Sequence, residues 1–347
     1  MRLFLSHGAI IPARGLREKK KEETNMKKHG SILTVIVTVA LILTLALPAA
    51  ALGETGKQYV VGICQLIQHD ALDAATKGFE DALAEALGAE NVTFDYQVAS
   101  GDSNMCNTIV NAFVSKKVDL ILANATPALQ AAYNATTTIP ILGTAVTEYG
   151  VALQLQDFDG TVGENVSGTS DLAPLTEQAD MILELFPEAK KVGLLYCSAE
   201  PNSEYQVKVV SEYLTDKGLQ CTRYSFSDSN DIASVTTKAA ADSDVMYIPT
   251  DNTAAACTET IGNIVLAART PVIAGEAGIC SGCGVATLSI SYYELGRKTG
   301  EMAARILKGE ADITTMPIEY AEATKQFNAV ICKELGVSVP EDYVALQ

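Results

Sequence analysis

The chain has no tryptophan, and only one of its three histidines, His69, lies beyond residue 51. That shortage excludes two-histidine metal centres and nearly every nucleophile–histidine catalytic arrangement. Phosphate-binding glycines are missing too. The segment after the first apolar strand reads Gln65-Leu66-Ile67-Gln68-His69-Asp70, and no G-x-S-x-G, Walker loop or dinucleotide fingerprint follows that strand. Basic residues are scarce. Residues 1–51 hold eight of the 25 Lys/Arg and three of the 42 Asp/Glu, so the remainder carries a formal −22. Such a surface offers no phosphate-neutralising footprint, and nucleic acid is excluded as a partner. No cofactor and no metal are expected.

Long apolar runs are limited to one. Lys27-Lys28-His29 precedes the run Ile32–Leu47, followed by Pro48 and Ala49-Ala50-Ala51. This is the charged region, apolar core and small-residue cleavage site of an export signal over 26–51. The run falls short of the roughly 20 residues a membrane span needs, which leaves a retained anchor as the alternative to cleavage after Ala51. Residues 1–25 read as a misassigned start ahead of Met26. The expected location is extracytoplasmic.

Eight cysteines in an exported chain raise the question of disulfides. Six are scattered through apolar patterns, where buried cysteine acts as a small hydrophobe. Cys280-Ser-Gly-Cys283 is either a local disulfide or two free thiols. Zinc would require two further ligands at suitable spacing, which are lacking.

What remains is an alternation of strands and helices. The strand from Asp244 ends on Thr250-Asp251-Asn252 and gives way to a helical pattern over Thr253–Arg269. The same grammar appears at Asp119–Pro127, and Ile139–Gly143 mirrors Thr270–Gly275. Two similar βαβ units predict α/β architecture: two Rossmann-like lobes with parallel sheets, joined by a multi-strand hinge around a ligand cleft. The competing arrangement is one long doubly wound sheet. The first lobe is placed at 58–168 and 286–312, the second at 169–285 and 313–347.

In open parallel sheets, ligands sit beyond the carboxyl ends of the strands. The candidate contacts there are Gln65, His69 and Asp70 after the first strand, Asp102 after the second, Thr126 and Pro127 after the third, and Thr144 and Ala145 after the fourth. In the second lobe they are Tyr196, Ser198, Asn202, Ser203, Asp251, Asn252 and Glu276. Hydroxyls and amides at the helix starts by Thr126 and Ser198–Ser203 suit a carboxylate, and Asp251 suits an ammonium group. Each has a plain alternative as a helix cap, and Glu276 as a solvated loop charge. Tyr196 and Tyr292 either line a side-chain pocket or belong to the core.

Gln65-x-x-x-His69-x-Ala71-Leu-Asp73, Gly78-Phe79, Ala125-Thr-Pro127, Thr144-Ala-Val-Thr147, Gly168-Thr-Ser-Asp171, Pro249-Thr-Asp-Asn252 and Tyr292-Tyr-Glu-Leu-Gly296 together resemble the ABC-transporter substrate-binding proteins of the tryptophan/tyrosine-binding type. The likeness spans residues 58–338. It implies a type I periplasmic-binding fold and a monomer that delivers an amino acid, often aromatic, to a membrane permease driven by an ATPase. Asp70 departs from the family pattern, where proline is usual, and favours a polar or cationic ligand side chain. An extracytoplasmic sensor of the same fold, presenting ligand to a membrane receptor, is the alternative function. An enzyme finds support only in the C-x-x-C.

Overall fold

The computed structural model describes residues 57–346. The expected export signal and misassigned start lie outside the described residues. The strands are β1 (Tyr59–Gln65), β2 (Val92–Val98), β3 (Leu120–Asn124), β4 (Ile141–Val146), β5 (Val166–Ser170), β6 (Lys191–Cys197), β7 (Gln220–Phe226), β8 (Val245–Ile248), β9 (Val272–Ala274), β10 (Ala286–Ser289), β11 (Glu319–Tyr320), β12 (Thr324–Phe327) and β13 (Val344–Ala345). The helices are α1 (Asp70–Leu87), α2 (Ser103–Lys116), α3 (Thr126–Ala135), α4 (Tyr149–Leu153), α5 (Leu175–Leu185) and α6 (Pro201–Asp216). They continue as α7 (Ile232–Asp242), α8 (Asn252–Ala255), α9 (Thr258–Ala268), α10 (Ala277–Cys283), α11 (Tyr292–Leu307) and α12 (Ala329–Leu335).

These strands form two sheets, ordered β11-β5-β4-β3-β1-β2 and β13-β12-β10-β9-β8-β6-β7. Each contains the same doubly wound order, second-first-third-fourth-fifth, so β3 and β8 occupy equivalent positions. All pairings are parallel except β10 with β12. Helices cover both faces, which is why the central strands are apolar throughout. On β3, Ile121 and Ala123 enter one core while Leu120 and Leu122 enter the other. On β8, Val245 and Tyr247 face one core, and Met246 and Ile248 the other.

The expected lobe boundaries are corrected at three places. Strand 285–290 was expected in the first lobe, yet β10 pairs in the second sheet, held between β9 and the antiparallel β12. Only α11 returns, packing on α1, where glycines allow backbones to touch: a Cβ on Gly296 would lie 2.0 Å from Ala75 O, and one on Gly78 would lie 2.1 Å from Tyr293 O. β5 belongs to the first sheet through Ser170, and β11 joins it there, whereas the tail had been assigned wholly to the second lobe. The chain therefore passes between sheets at 170–175, 289–292 and 320–324. The single helix expected over Thr253–Arg269 is divided at Ala256–Cys257, where Cys257 N bonds back three residues to Ala254 O.

All eight cysteines are free. Cys280 and Cys283 are buried thiols within α10, and Cys283 Sγ donates to Ile279 O at 3.2 Å. No disulfide joins them. Among the described residues no helix is long and apolar enough to cross a membrane.

Candidate functional site

The switch points of the two sheets lie beyond β1/β3 and β6/β8, where neighbouring chain connections diverge and leave a crevice. The two crevices face each other. His69 Nε2 is 3.2 Å from Asn252 Oδ1, and the Thr147 and Thr250 hydroxyls are 3.4 Å apart, so the lobes meet across the cleft. Between them is a small closed pocket with about 10 Å³ of free space, lined by His69, Leu72, Ala145, Thr147, Asp171 and Tyr292 on one side. Asn202, Thr250, Asp251, Asn252, Ala255 and Glu276 line the other. A wider compartment of about 360 Å³ adjoins it at Asn252 and takes in Ile67, Pro127, Cys197 and Glu200.

Carboxylates dominate the closed pocket, and their partners separate structural from available groups. Asp251 Oδ2 accepts from Cys197 N at 2.6 Å, and Oδ1 accepts from Ala254 N at 2.8 Å. Both oxygens are thereby committed to backbone. Burial and the nearby Glu200 push this carboxyl up to about 8. Glu200 takes the rest of the helix start, accepting from Asn252 N, Thr253 N, Asn252 Nδ2 and Thr253 Oγ1 at 2.7–3.0 Å. Glu276 caps α10 through Gly278 N and Ile279 N, and burial raises it above the ordinary carboxylate range while His69 draws it back.

Asp171 differs. Its Oδ2 accepts from the Tyr292 hydroxyl at 2.8 Å, but Oδ1 is buried without a partner. Burial raises its pKa, and the bond from Tyr292 works against that rise. Across the pocket Asn202 donates through Nδ2 to Thr250 O at 3.0 Å, while its Oδ1 is likewise buried and unpartnered. Unsatisfied buried acceptors are costly, and two of them lining one pocket mark a place for a donor. Backbone strain also collects here. Ala145 has φ 51° at the register shift between β4 and β5, and Ala125 has φ 90° where β3 turns into α3.

The expected contacts divide accordingly. His69, Ala145, Asn202, Asp251, Asn252 and Glu276 reach the closed pocket. Pro127 reaches the wider compartment and not the closed pocket, and Asp70 is exposed at an outer mouth, away from the closed pocket. Gln65 is turned inward, donating to Asp73 at 2.6 Å and accepting from Thr76 at 2.7 Å. Thr144 lies in a buried hydroxyl cluster with Thr169 and Thr299, and Thr126 is buried at the α3 start. Asp102 is an exposed cap on α2, Ser198 is exposed and bonded to Phe226 O, and Tyr196 belongs to the core of the second lobe. Ser203 is buried beside Asn202. Asp251, expected to meet an ammonium group, lines the pocket, and each of its oxygens also accepts from a backbone N–H. Asp171 and Thr147, with Thr250 opposite, were not among the expected contacts. The polar run Thr169-Ser170-Asp171 at a strand end was the available signal.

Fold and cleft define a two-lobed binding protein rather than a catalyst. The chain belongs to the family of ABC transporter substrate binding proteins, whose pattern it matches over residues 60–346; these are solute-binding proteins, not enzymes. It is 35% identical over 277 residues to the tyrosine-binding protein of Clostridioides difficile (strain R20291), covering 78% of this chain and 79% of that one. It is similar to a Streptococcus pneumonia ABC domain in complex with L-Trp, with 31% identity, a TM-score of 0.78, and coverage of 82% and 97%. A ligand-free, open substrate-binding protein with adhesive properties from Clostridium difficile shares 36% identity with a TM-score of 0.63, over 83% and 99%. Higher identity with lower overall superposition is what a different lobe angle produces, and here the lobes touch.

Proposed function

We propose that this chain is the extracytoplasmic binding component of an ABC importer. It clamps an aromatic amino acid between its lobes and presents it to a permease and its ATPase. The observation that carries this reading is the pair of unpartnered acceptors, Asp171 Oδ1 and Asn202 Oδ1, on residues that line one interlobe pocket from opposite sides. An α-ammonium group has three donors and a positive charge, and would satisfy both. The names of the relatives, one binding tyrosine and one solved with L-Trp, favour an aromatic side chain. Aromatic rings bury about 150–250 Å², enough at about 25 cal/mol/Å² to favour them over small residues.

The test is calorimetric titration of refolded, ligand-stripped protein with the common amino acids. Saturable binding of tyrosine, tryptophan or phenylalanine is expected. Because the chain has no tryptophan, bound L-Trp would be the only indole, and its emission would report transfer into the cleft. Silence across the panel would sink the proposal.

A further inference from the structure

We propose that Tyr292 is the positioning residue of the closed pocket: its hydroxyl holds Asp171 by one oxygen and so presents the other, ionised, to the ligand's ammonium group. This rests on the functional reading above and deepens it, by naming what makes Asp171 the contact.

Three buried carboxyl side chains line the pocket, and their donors differ in kind. Asp251 and Glu276 are each held by two backbone N–H groups, one on each oxygen. Asp171 is held by a side chain on Oδ2 alone, the Tyr292 hydroxyl at 2.8 Å, and Oδ1 has no partner. About 10 Å³ is free in this pocket, room for a group the size of a water or an ammonium.

The donor is fixed by the chain around it. Ser291 caps α11 through Glu294 N, which makes Tyr292 the first residue of a 16-residue helix. Glycine contacts lock that helix to α1, and Tyr292 shares the first-lobe core with Leu72 and Leu295. Burial and the adjacent Asp171 push the hydroxyl well above its ordinary range, so it stays a donor. Asp171 lies on the passage at 170–175 and Tyr292 at the end of that at 289–292, so their bond ties two interlobe passages together at the pocket wall.

A buried carboxyl favours its protonated form, which would meet an ammonium group without charge. The titratable groups around Asp171 are His69 ahead of α1, Tyr149 on α4, Asp251 and Glu276 at the starts of α8 and α10, and Tyr292 itself. Burial raises Asp171, and the bond from Tyr292 is the strongest influence against that rise, ahead of Thr147 and His69. Deleting the hydroxyl therefore leaves Asp171 protonated to higher pH.

The experiment is calorimetric titration of refolded full-length chain with L-tyrosine and L-tryptophan at pH 6 and pH 8. Wild type, Tyr292→Phe, Asp171→Asn and the double variant are compared. Tyr292→Phe should weaken both ligands about tenfold at pH 6 and by a clearly smaller factor at pH 8, where the carboxyl ionises in both proteins. His69 and Glu276 are common to both, so the ratio isolates the hydroxyl. In the double variant the phenylalanine should add less than about twofold to the effect of Asp171→Asn, since no carboxylate is left to hold. A hydroxyl that only fills space would add its full factor there. Should Tyr292→Phe fail to fold, the advantage of wild type over Asp171→Asn decides: it should shrink from pH 8 to pH 6, and a constant advantage overturns the inference. A Tyr292→Phe factor that is equal at both pH values, or fully additive with Asp171→Asn, overturns it too and leaves the functional reading standing. If neither ligand binds wild type at either pH, both fall.

Discussion

The two strand-to-helix junctions β3–α3 and β8–α8 occupy the same place in the same strand order, yet they treat the helix start in opposite ways. In the first lobe Ala125 precedes the helix with φ 90° and no side chain caps it. Asn124, which could have capped, is turned back into the lobe and donates to Leu72 O and Thr76 Oγ1, both at 2.9 Å. In the second lobe Asp251 sits at a relaxed φ of −121° and caps Ala254 N, while Glu200 reaches across to take the next amides. Topology placed both junctions at the cleft, but it did not make them equivalent. A helix start saturated by the chain's own carboxylates is a scaffold, and the ligand contact proposed above lies elsewhere, at Asp171.

The largest effect should come from removing the internal anion. Glu200→Ala strips the partner from two backbone amides and two side-chain donors at the α8 start, and bonds to charged groups are worth about 1.5–3 kcal/mol each. A loss of about 3 kcal/mol or more in unfolding free energy is expected by urea denaturation, part of the cost being offset as Asp251 is relieved of a neighbouring charge. Thr126→Val at the equivalent junction should cost under about 1 kcal/mol, since its lobe holds no comparable charge-assisted network. Equal costs at the two positions would erase the distinction.

Next in size is the exchange of roles between two aspartates. Asp171→Asn should weaken aromatic amino-acid binding about ten- to a hundredfold without lowering the melting temperature of the unliganded protein, because it removes a carboxylate that burial already disfavours. Asp251→Asn should do the reverse, costing about 1 kcal/mol of stability through the damaged cap and leaving affinity within a few-fold. Calorimetric affinities and unliganded melting temperatures for both variants would decide it. The reverse pairing of effects would return the ligand's ammonium to Asp251.

A titration sharpens the same point. Asp251 is raised from 3.8 to about 8, so the folded state holds a proton that the unfolded chain releases. Stability from this group is full below pH 4 and is lost as pH rises through 8, with a slope of at most about 1.4 kcal/mol per pH unit. The difference in unfolding free energy between wild type and Asp251→Asn should therefore change across pH 4–8 in that sense. A difference that stays constant over this range would show that Asp251 titrates normally.

These contrasts also explain what could be read in advance. Periodicity placed β3 and β8 within the stretches that begin at Asp119 and Asp244, because a strand covered on both faces must be apolar. It could not say which sheet receives β10. That depends on the antiparallel partner β12, some 40 residues further on, whose own sequence Thr324-Lys-Gln-Phe327 has little apolar pattern. The cleft was legible as a set of polar strand ends. Which of its carboxylates is free was not, since Asp171 and Asp251 both follow a strand and differ only in partners brought by other elements: Tyr292 in one case, Cys197 N and Ala254 N in the other.

The smallest expected effect tests the backbone rather than the side chains. A non-glycine residue at φ 90° costs of order 1–3 kcal/mol, and Ala125 bears that strain where β3 turns into α3. Ala125→Gly releases it at an entropic cost of about 0.5–1 kcal/mol, so a net gain of about 1 kcal/mol is expected. At the equivalent position of the other lobe the sign should invert. Asp251 has no strain to release and a cap to lose, so Asp251→Gly should destabilise through the bonds to Ala254 N and Cys197 N. Chemical denaturation of the two variants in parallel measures both signs. If Ala125→Gly also destabilises, the bend after β3 is held by something other than a strained alanine, and the two junctions are more alike than their hydrogen bonds indicate.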